Sequence, residues 1–207
     1  MVEISRASLD RLTPLASVLG RSFVVEPMML WSLGDRGDVA ERLTQSFART
    51  LENLIPLDMV WEAGVAEGAA IWVPPSGAAA WKQTQLGGGP PDASEPEAEA
   101  RYSGFWTWVE SRLPTEPLWH LDAVAVDPVG RGRGIGAALI EHGLAMARAD
   151  LVGVVLETGN PGNVPYYERF GFRVVDKEDA PLGGPTVWFM RWDPPGTGSG
   201  RRPTLGP

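Results

Sequence analysis

The sequence predicts an α/β domain built around one mixed sheet. Two amphipathic helical patterns and a pair of short strand patterns fill the first half of the chain. In the second half, strand and helix patterns alternate, which is typical of parallel strands joined by right-handed crossovers. The chain has 207 residues, enough for one well-buried core and too few for two ordinary catalytic domains. We therefore expect one domain over residues 1–193.

Helices are predicted over 12–22 and 39–54, because apolar residues recur there every three or four positions. Residues 59–63 and 69–73 read as a hairpin that Pro74 and Pro75 end. The Met- and Trp-rich segment 23–38 shows no clear period. Residues 76–100 shift toward Gly, Pro, Ala and Glu, so we expect a mobile connector there, which runs into a helix that starts near Ser94 and ends before Pro114.

The second half predicts, in order, a strand over 119–126, a helix over 134–149, a strand over 152–157, a short helix over 163–170 and strands over 172–175 and 187–192. Residues 194–207 are rich in Gly and Pro and offer little to bury, so we expect a disordered tail.

The amino-acid composition argues against several kinds of binding partner and cofactor. The net charge of −8 argues against nucleic acid and against an anionic membrane surface. No apolar run is long enough to span a bilayer, and the start of the chain lacks the features of a signal peptide, so we expect a cytoplasmic protein. Cysteine is absent, which excludes disulfides and thiolate chemistry. His120 and His142 are too far apart to form a recognisable ligand motif, so we expect no metal.

A glycine-rich stretch, Asp127 to Gly136, lies between a strand pattern and a helix pattern. Closely spaced glycines let backbone N–H groups converge, and the following helix adds the positive end of its dipole, so the stretch suits a pyrophosphate. Gly132, Gly134 and Ala137 also fit the dinucleotide fingerprint, with Glu157 as the ribose-binding acid. That reading is disfavoured, because five residues separate the strand from the first glycine of the fingerprint and only about fifty residues follow Glu157.

The order Val-Asp-Pro, Arg-x-x-Gly-x-Gly and helix resembles the acetyl-coenzyme A loop of the GNAT superfamily of N-acetyltransferases. The resemblance implies a GNAT-type sheet whose fourth and fifth strands splay apart, and acetyl-CoA as cosubstrate. It implies that the pantetheine arm lies along Val124, Ala125 and Val126. The pyrophosphate would bind Gly132, Gly134, Ile135, Gly136 and Ala137, with charge from Arg131 or Arg133. Segments 119–126, 156–158 and 163–172 further resemble the puromycin N-acetyltransferase subfamily.

The same resemblance points to Tyr167 as the acid that protonates the leaving thiolate. In the GNAT pattern Asn-x-x-Ala-x-x-Leu-Tyr, followed by Gly-Phe, that tyrosine reaches the sulfur of the coenzyme. Asn160, Tyr167 and Gly171 stand at matching positions, while Asn163 replaces the alanine. Either Asn160 or Asn163 is a candidate to bind the pantetheine arm. The alternative role for Tyr167 is aromatic packing.

Three residues are candidates for the base that accepts the proton of the amine. His120 and Asp122 lie two positions apart on one strand, so their side chains point to the same face. The run His-Leu-Asp-Ala is similar to the His-Leu-His-Ala segment of serotonin N-acetyltransferases. Glu157, at the end of the next strand, is the third candidate. His120 and Glu157 are equally compatible with structural roles.

Four apolar and aromatic residues are expected to line the part of the active site that binds the acceptor amine. Met29, Trp31, Trp81 and Trp106 lie in segments that form this side in the resembling family, and such residues suit bulky apolar ligands and cations. We expect direct acetyl transfer to a primary amine of a small hydrophobic or aromatic molecule, with a homodimer as a further possibility. The alternatives are a protein N-terminal or lysine acetyltransferase and a non-catalytic acyl-CoA sensor.

Overall fold

A computed structural model describes residues 2–33, 37–87 and 96–196. The helices are α1 Leu12–Phe23, α2 Pro27–Leu33, α3 Val39–Leu54, α4 Ala78–Gly87, α5 Pro96–Arg112, α6 Ile135–Ala149 and α7 Asn163–Glu168. The strands are β1 Ile4–Arg6, β2 Val60–Ala63, β3 Gly68–Val73, β4 Trp119–Val126, β5 Val154–Thr158, β6 Arg173–Asp179 and β7 Thr186–Trp192. In the described ranges, no helix is both long and apolar enough to cross a membrane.

The strands form one mixed sheet in the order β1-β2-β3-β4-β5-β7-β6. Neighbouring strands run antiparallel except β4 and β5, which are parallel and are joined through α6. This is the crossover expected for a strand–helix–strand unit. The α/β mixed sheet predicted from the sequence is confirmed.

Helices cover both faces of the sheet, as the apolar pattern of its central strands requires. On one face, α6 packs through Leu139, Ile140 and Leu144 against Trp72 and Leu121. On the other face, α1 and α3 pack against Ile71, Ala123 and Ala125. The second face continues into an aromatic cluster between α2, α5 and β7.

Strands β4 and β5 pair over two rungs only, Trp119 with Val154 and His120 with Val155. Beyond these rungs β4 continues to Val126 and β5 to Thr158, and the strands separate. The predicted splay of the fourth and fifth strands is therefore present. It opens the sheet toward the glycine-rich loop that follows β4.

The structure differs from the sequence prediction at three elements. Residues 78–87 form α4 where a mobile connector was expected, because Ala78, Ala79 and Ala80 favour a helix more strongly than the overall Gly and Pro content suggested. Helix α2 is too short to show a period, but Pro27 begins it and Met28, Met29 and Leu33 become buried. The three-residue strand β1 adds an edge beside β2. Residues 197–207 of the expected tail lie outside the described ranges.

Candidate active site

A cavity of about 710 Å³ opens where β4 and β5 separate. We call it the main cavity. Part of its wall is formed by the end of α1, the start of α2 and Trp106. The rest of the wall is formed by Leu121–Val126, Gly130–Gly132, Gly134–Ala137, Glu157, Thr158, Asn160, Gly162, Asn163, Tyr166, Tyr167 and Arg169. A concave site of this size is typical for small molecules and cosubstrates. The glycine-rich loop, the splayed strands and the tyrosines of α7 therefore share one space.

The glycine-rich loop has the backbone conformation that an anion cradle needs. Gly132 and Gly134 both have φ of +79°, and apart from the glycine itself and the residues next to it in sequence, no atom of the described chain lies within 4 Å of where a Cβ would stand on either. Gly134 is also the N-cap of the 15-residue helix α6. The first N–H groups of this helix have no acceptor within the helix and point toward the loop. The loop therefore offers free space, N–H donors and the positive end of a helix dipole.

The two arginines of this loop occupy different positions. Arg131 lines the main cavity together with Gly132 and Gly134. Arg133 instead forms an ion pair with Glu67 at 2.5 Å, and it is not among the described lining residues. Of the two arginines expected to supply charge to a pyrophosphate, Arg131 is the better placed.

The edge of β4 lines the cavity from Leu121 to Val126. Val124, Ala125 and Val126 pair with β3 on one side and face the opening on the other side. The side-chain hydroxyl of Ser22 donates a hydrogen bond to the carbonyl of Val126 at 3.0 Å. This edge can accept an extended ligand in the manner of an added strand.

His120, Asp122 and Glu157 form a compact cluster at the point where β4 and β5 begin to separate. The Nε2 atom of His120 lies 2.9 Å from Oε2 of Glu157, and both side chains are less than 10% exposed. Asp122 accepts a hydrogen bond from the indole N–H of Trp81 at 2.9 Å. The register between β3 and β4 shifts at Asp122, because Ile71 faces Ala123 while Trp72 faces Leu121. All three base candidates are thus brought together, with Trp81 as a partner.

The three residues reach different spaces. Asp122 and Glu157 line the main cavity. His120 lines a second cavity of about 350 Å³ on the other side of the cluster, with Trp81 and Val155. Its Nδ1 atom is buried and has no hydrogen-bond partner among the described residues. His120 can therefore exchange a proton with Glu157, but a ligand in the main cavity meets the two carboxylates first.

The surroundings of the cluster raise the pKa values of His120 and Asp122. Burial lowers the pKa of His120, but the charge and hydrogen bond of Glu157 and the charge of Asp122 outweigh it, so the net pKa is raised. Burial raises the pKa of Asp122 to about 6, although the charge of His120 and the hydrogen bond from Trp81 act in the opposite direction. The cluster can accept a proton without a large energetic penalty.

The cluster is also the one grouping of metal-type ligands in the described ranges. One ligand atom from each of His120, Asp122 and Glu157 lies within 4.8 Å of the others. Sequence spacing between histidines does not reveal it, because two of the three ligands are carboxylates. His120 already shares Nε2 with Glu157, so a cation bound through that atom would replace this hydrogen bond.

Tyr167 lies on α7, is 8% exposed and lines the main cavity. Its ring packs against Phe172 and Tyr166. Burial, together with the nearby charge of Glu26, raises the pKa of Tyr167 well above its ordinary value. The phenol is therefore protonated over the physiological range, as a proton donor must be before it acts.

A chain of polar side chains crosses the cavity wall beside Tyr167. The side-chain amide of Asn163 donates to Oε1 of Glu26 and to the hydroxyl of Thr158, both at 3.1 Å. Asn160 instead accepts from the N–H of Gly162 at 2.9 Å. Both asparagines line the cavity. Glu26 and Thr158 were not singled out from the sequence, because nothing in their local pattern marks them.

The expected acceptor-side residues divide into two groups. Met29 and Trp106 line the main cavity, together with Phe23 and Met28. Trp31 lies outside the described lining and packs edge-on against Phe105. Trp81 also lies outside it, because its N–H is directed to Asp122 and its ring meets the edge of His120. Trp31 and Trp81 thus lie outside the described cavity lining, and the expectation that they contact the acceptor stays a prediction.

Comparison with known proteins agrees with this geometry. Residues 97–172 match the model of the acetyltransferase (GNAT) family. The peptidyl-lysine N-acetyltransferase YjaB of Escherichia coli is 35% identical over 96 residues, which cover 37% of this chain and 64% of that protein. A mycothiol acetyltransferase from Tsukamurella paurometabola is 31% identical over 135 residues, or 53% of this chain and 46% of that protein. The chain thus spans less than two thirds of these relatives.

The fold likeness extends over nearly the whole chain. A solved structure from Corynebacterium glutamicum, described as histone acetyltransferase HPA2 and related acetyltransferase, superposes with a TM-score of 0.66 at 21% identity. The superposition covers 96% of this chain and 98% of the other. Residues 97–172 thus match the acetyltransferase (GNAT) family, and the superposition shows that this chain shares its fold with a solved acetyltransferase structure over nearly its whole length.

Proposed function

We propose that this domain is an acetyl-CoA-dependent N-acetyltransferase that acts by direct transfer on a primary amine of a small hydrophobic or aromatic molecule. The observation that carries this proposal is the convergence of three parts in the main cavity. These parts are the glycine loop with its helix N-terminus, Tyr167, and the carboxylates of Asp122 and Glu157. An anion cradle, a proton donor and a proton acceptor are the groups that amine acetylation requires.

The cradle fits the pyrophosphate of coenzyme A on physical grounds. The positive φ and open space at Gly132 and Gly134 leave room for close approach, while Arg131 and the α6 N-terminus supply charge complementarity. When bound, acetyl-CoA supplies the acyl group as a thioester. Residues 124–126 and either Asn160 or Asn163 would bind its pantetheine arm by backbone and amide hydrogen bonds.

Proton movement is assigned to residues on two sides of the cavity. An amine arrives largely protonated near neutral pH, so a residue of the site must take a proton from its nitrogen. Asp122 or Glu157 accepts this proton, directly or through water. Glu157 can share it with His120 through their hydrogen bond. Tyr167 gives its phenolic proton to the departing sulfur. Holding the reacting groups in one partly enclosed space supplies the positional part of the rate enhancement.

The chemistry of the cavity interior supports a cationic, apolar acceptor. The carboxylates of Asp122 and Glu157 attract an ammonium group, while Phe23, Met28, Met29 and Trp106 contact carbon. The test is acetyl-CoA with a panel of arylalkylamines, aminoacyl nucleosides, polyamines and peptides, followed by free-thiol release and mass spectrometry of the product. Acetyl-CoA binding without thiol release on any amine would favour a non-catalytic sensor.

A second candidate is acetylation of a protein lysine. It is favoured by the relative from Escherichia coli, which is named a peptidyl-lysine N-acetyltransferase. A lysine side chain carries the same primary amine on an apolar stem. Lysine-containing peptides in the panel separate the two candidates, because turnover on peptides but not on small amines would favour this one.

A further inference from the structure

Glu26 is a cavity residue to which the reaction described above gives no task. It lies between α1 and α2, far from the glycine loop in sequence, and lines the main cavity. One carboxylate oxygen, Oε1, accepts from Asn163 at 3.1 Å. The other oxygen, Oε2, is buried and has no hydrogen-bond partner among the residues that the structure describes.

An unpartnered buried carboxylate oxygen is unfavourable. A buried polar atom left without a hydrogen bond loses the free energy of its hydration without compensation, and the loss is greater when the atom is charged. The cost appears in the pKa of Glu26, which burial raises even though the hydrogen bond from Asn163 lowers it. The hydrogen bond that links Glu26, just before α2, to Asn163 of α7 uses only Oε1. The second oxygen therefore suits a donor that enters the cavity from outside the protein.

The charges around the cavity indicate the sign of that donor. Its described acidic lining residues are Glu26, Asp122 and Glu157, and all three are at least partly buried. The described arginines of the lining, Arg131 and Arg169, are exposed at its margin. Arg169 lies over the ring of Tyr166, 5.2 Å from its centroid. The interior is thus anionic and the margin cationic, so an inner ligand with positive charge is favoured.

The position of Glu26 relative to Tyr167 places it beside the reacting centre. Both Glu26 and Glu157 are close enough for their charges to raise the pKa of Tyr167. Glu157 belongs to the His120 and Asp122 cluster on β4 and β5, whereas Glu26 is held by α7 through Asn163. The two carboxylates therefore belong to separate structural groups around one phenol, and Met28 and Met29 follow Glu26 with apolar surface.

We propose that Glu26 binds a second, non-reacting ammonium group of the acceptor, so that the preferred acceptor is a diamine with an apolar or aromatic spacer. This rests on the proposed acetyltransferase function and deepens it. The reacting amine faces Asp122 and Glu157, and the second ammonium donates to Oε2 of Glu26. A carboxylate that is already buried and held by Asn163 loses little further entropy on binding such a group.

Matched acceptors test the proposal directly. Benzylamine and 1,4-bis(aminomethyl)benzene share a ring and a reacting group, and only the second carries another amine. We expect wild-type kcat/KM for the diamine to exceed that for benzylamine by about tenfold or more, which is well above the statistical advantage of two equivalent amines. In Glu26→Gln the ratio should fall to about that statistical value, mainly through KM.

The glutamine variant retains an oxygen that can accept from Asn163, so its fold should persist, and a thermal melt checks this. Glu52→Gln removes the same charge from an exposed position on α3 and should leave the ratio unchanged. Binding without turnover gives a second measurement. The diamine alone should raise the melting temperature of the wild type and of Glu52→Gln more than that of Glu26→Gln.

Two outcomes would overturn the assignment of Glu26. One is a wild-type enzyme with no diamine preference, and the other is a Glu26→Gln variant that loses activity equally on both amines, which would make Glu26 a structural support for Asn163. In both cases thiol release from benzylamine would keep the proposed function intact. If no amine gives thiol release, the proposed function is wrong. The melting-temperature comparison then still tests, independently of turnover, whether Glu26 binds the diamine.

Discussion

The Nε2 atom of His120, which belongs to the second rung between β4 and β5, lies 2.9 Å from Oε2 of Glu157, a residue beyond that rung on β5. This side-chain pair therefore bridges the strands at the point where the sheet opens. Asp122, on the same side, adds a second negative charge. A proton taken up by either carboxylate can be shared with an imidazole that faces a separate cavity.

The pH profile of kcat/KM should reveal this cluster. The rate should rise with pH as the cluster loses its proton, because only the deprotonated form accepts one from the amine. Glu157→Gln should lower the rate and, where activity is measurable, move the limb to lower pH, since it removes the charge and hydrogen bond that raise the pKa of His120.

Two other variants complete that comparison. Asp122→Asn should shift the limb in the same direction but less, because Asp122 raises the pKa of His120 less than Glu157 does. His120→Gln should abolish the imidazole limb. A limb that persists unchanged in His120→Gln and disappears in Glu157→Gln would make His120 a structural residue and Glu157 the base.

Asp122→Asn should increase the stability of the protein at neutral and higher pH. The folded pKa of Asp122, about 6, is raised above its ordinary value of 3.8, so the folded state binds the proton more tightly than the unfolded state. Stability is then lost as pH rises through this window, and the neutral amide avoids the loss. We expect a gain on the order of 1 kcal/mol at pH 8 in chemical unfolding, which shrinks toward pH 4.

Asp150 provides the control for this prediction. It also accepts a hydrogen bond from a tryptophan, Trp119, at 3.0 Å, but it is exposed. Asp150→Asn removes the same charge from an exposed position and should therefore change the free energy of unfolding little. If Asp122→Asn is destabilising at pH 8, the attraction between Asp122 and His120 outweighs the burial of its charge.

Tyr167→Phe should reduce kcat by about a hundredfold while acetyl-CoA affinity stays nearly the same. The phenylalanine ring preserves packing against Phe172, and only the proton donor is lost. Tyr166→Phe is the matched control, since Tyr166 also lines the cavity but is half-buried and next to Gly136. Stopped-flow or steady-state thiol release measures both, and equal effects of the two variants would remove Tyr167 from its special role.

Gly134→Val should abolish acetyl-CoA binding in calorimetric titration. A branched side chain at this N-cap of α6 would fill the open space in which we propose that the phosphate binds. Gly183→Val tests for backbone strain alone, because Gly183 has φ of +74° and open surroundings but does not line the cavity. Both variants should lose some stability, and only Gly134→Val should lose binding. Retained binding in Gly134→Val would make the loop structural.

Packing of α6 on the sheet should be intolerant of small changes. A Cβ on Gly143 would lie 1.9 Å from the fully buried ring of Trp72, so Gly143→Ala should destabilise the domain by about 1–3 kcal/mol. Gly104→Ala, on the exposed side of α5 with no atom nearby, should stabilise it by about 0.5–1 kcal/mol. Chemical unfolding of both variants checks the prediction, and a neutral Gly143→Ala would contradict the close contact.

Elements with a long, regular apolar pattern were predictable from sequence. Helix α3 begins and ends at the predicted residues, and β4 does as well. The short elements β1 and α2 were not predictable, because three to seven residues do not display a period and tertiary contacts decide their conformation. In α4, local alanine content outweighed the glycine and proline content on which the connector prediction relied.

The residues of the candidate site likewise divide into those that the sequence marks and those that only the fold brings together. The glycine loop and Tyr167 belong to a contiguous motif, so the sequence alone singles them out. The hydrogen bond between His120 and Glu157 joins residues 37 positions apart, and Trp81 donates to Asp122 at the point where the register between β3 and β4 shifts. Glu26 and Asn163 are 137 positions apart and meet only because the fold brings the residue just before α2 to the start of α7. Such contacts require the tertiary structure.

The most direct test of the central claim is a single reaction mixture of the protein, acetyl-CoA and benzylamine, analysed for both free thiol and N-acetylbenzylamine. An acetyltransferase with this site should form thiol and amide in equal amounts, and Tyr167→Phe should slow both to the same extent. Thiol release without amide would instead indicate hydrolysis of the thioester. Neither product, from a protein that binds acetyl-CoA and with every amine of the panel, would contradict the assignment of this domain as an N-acetyltransferase.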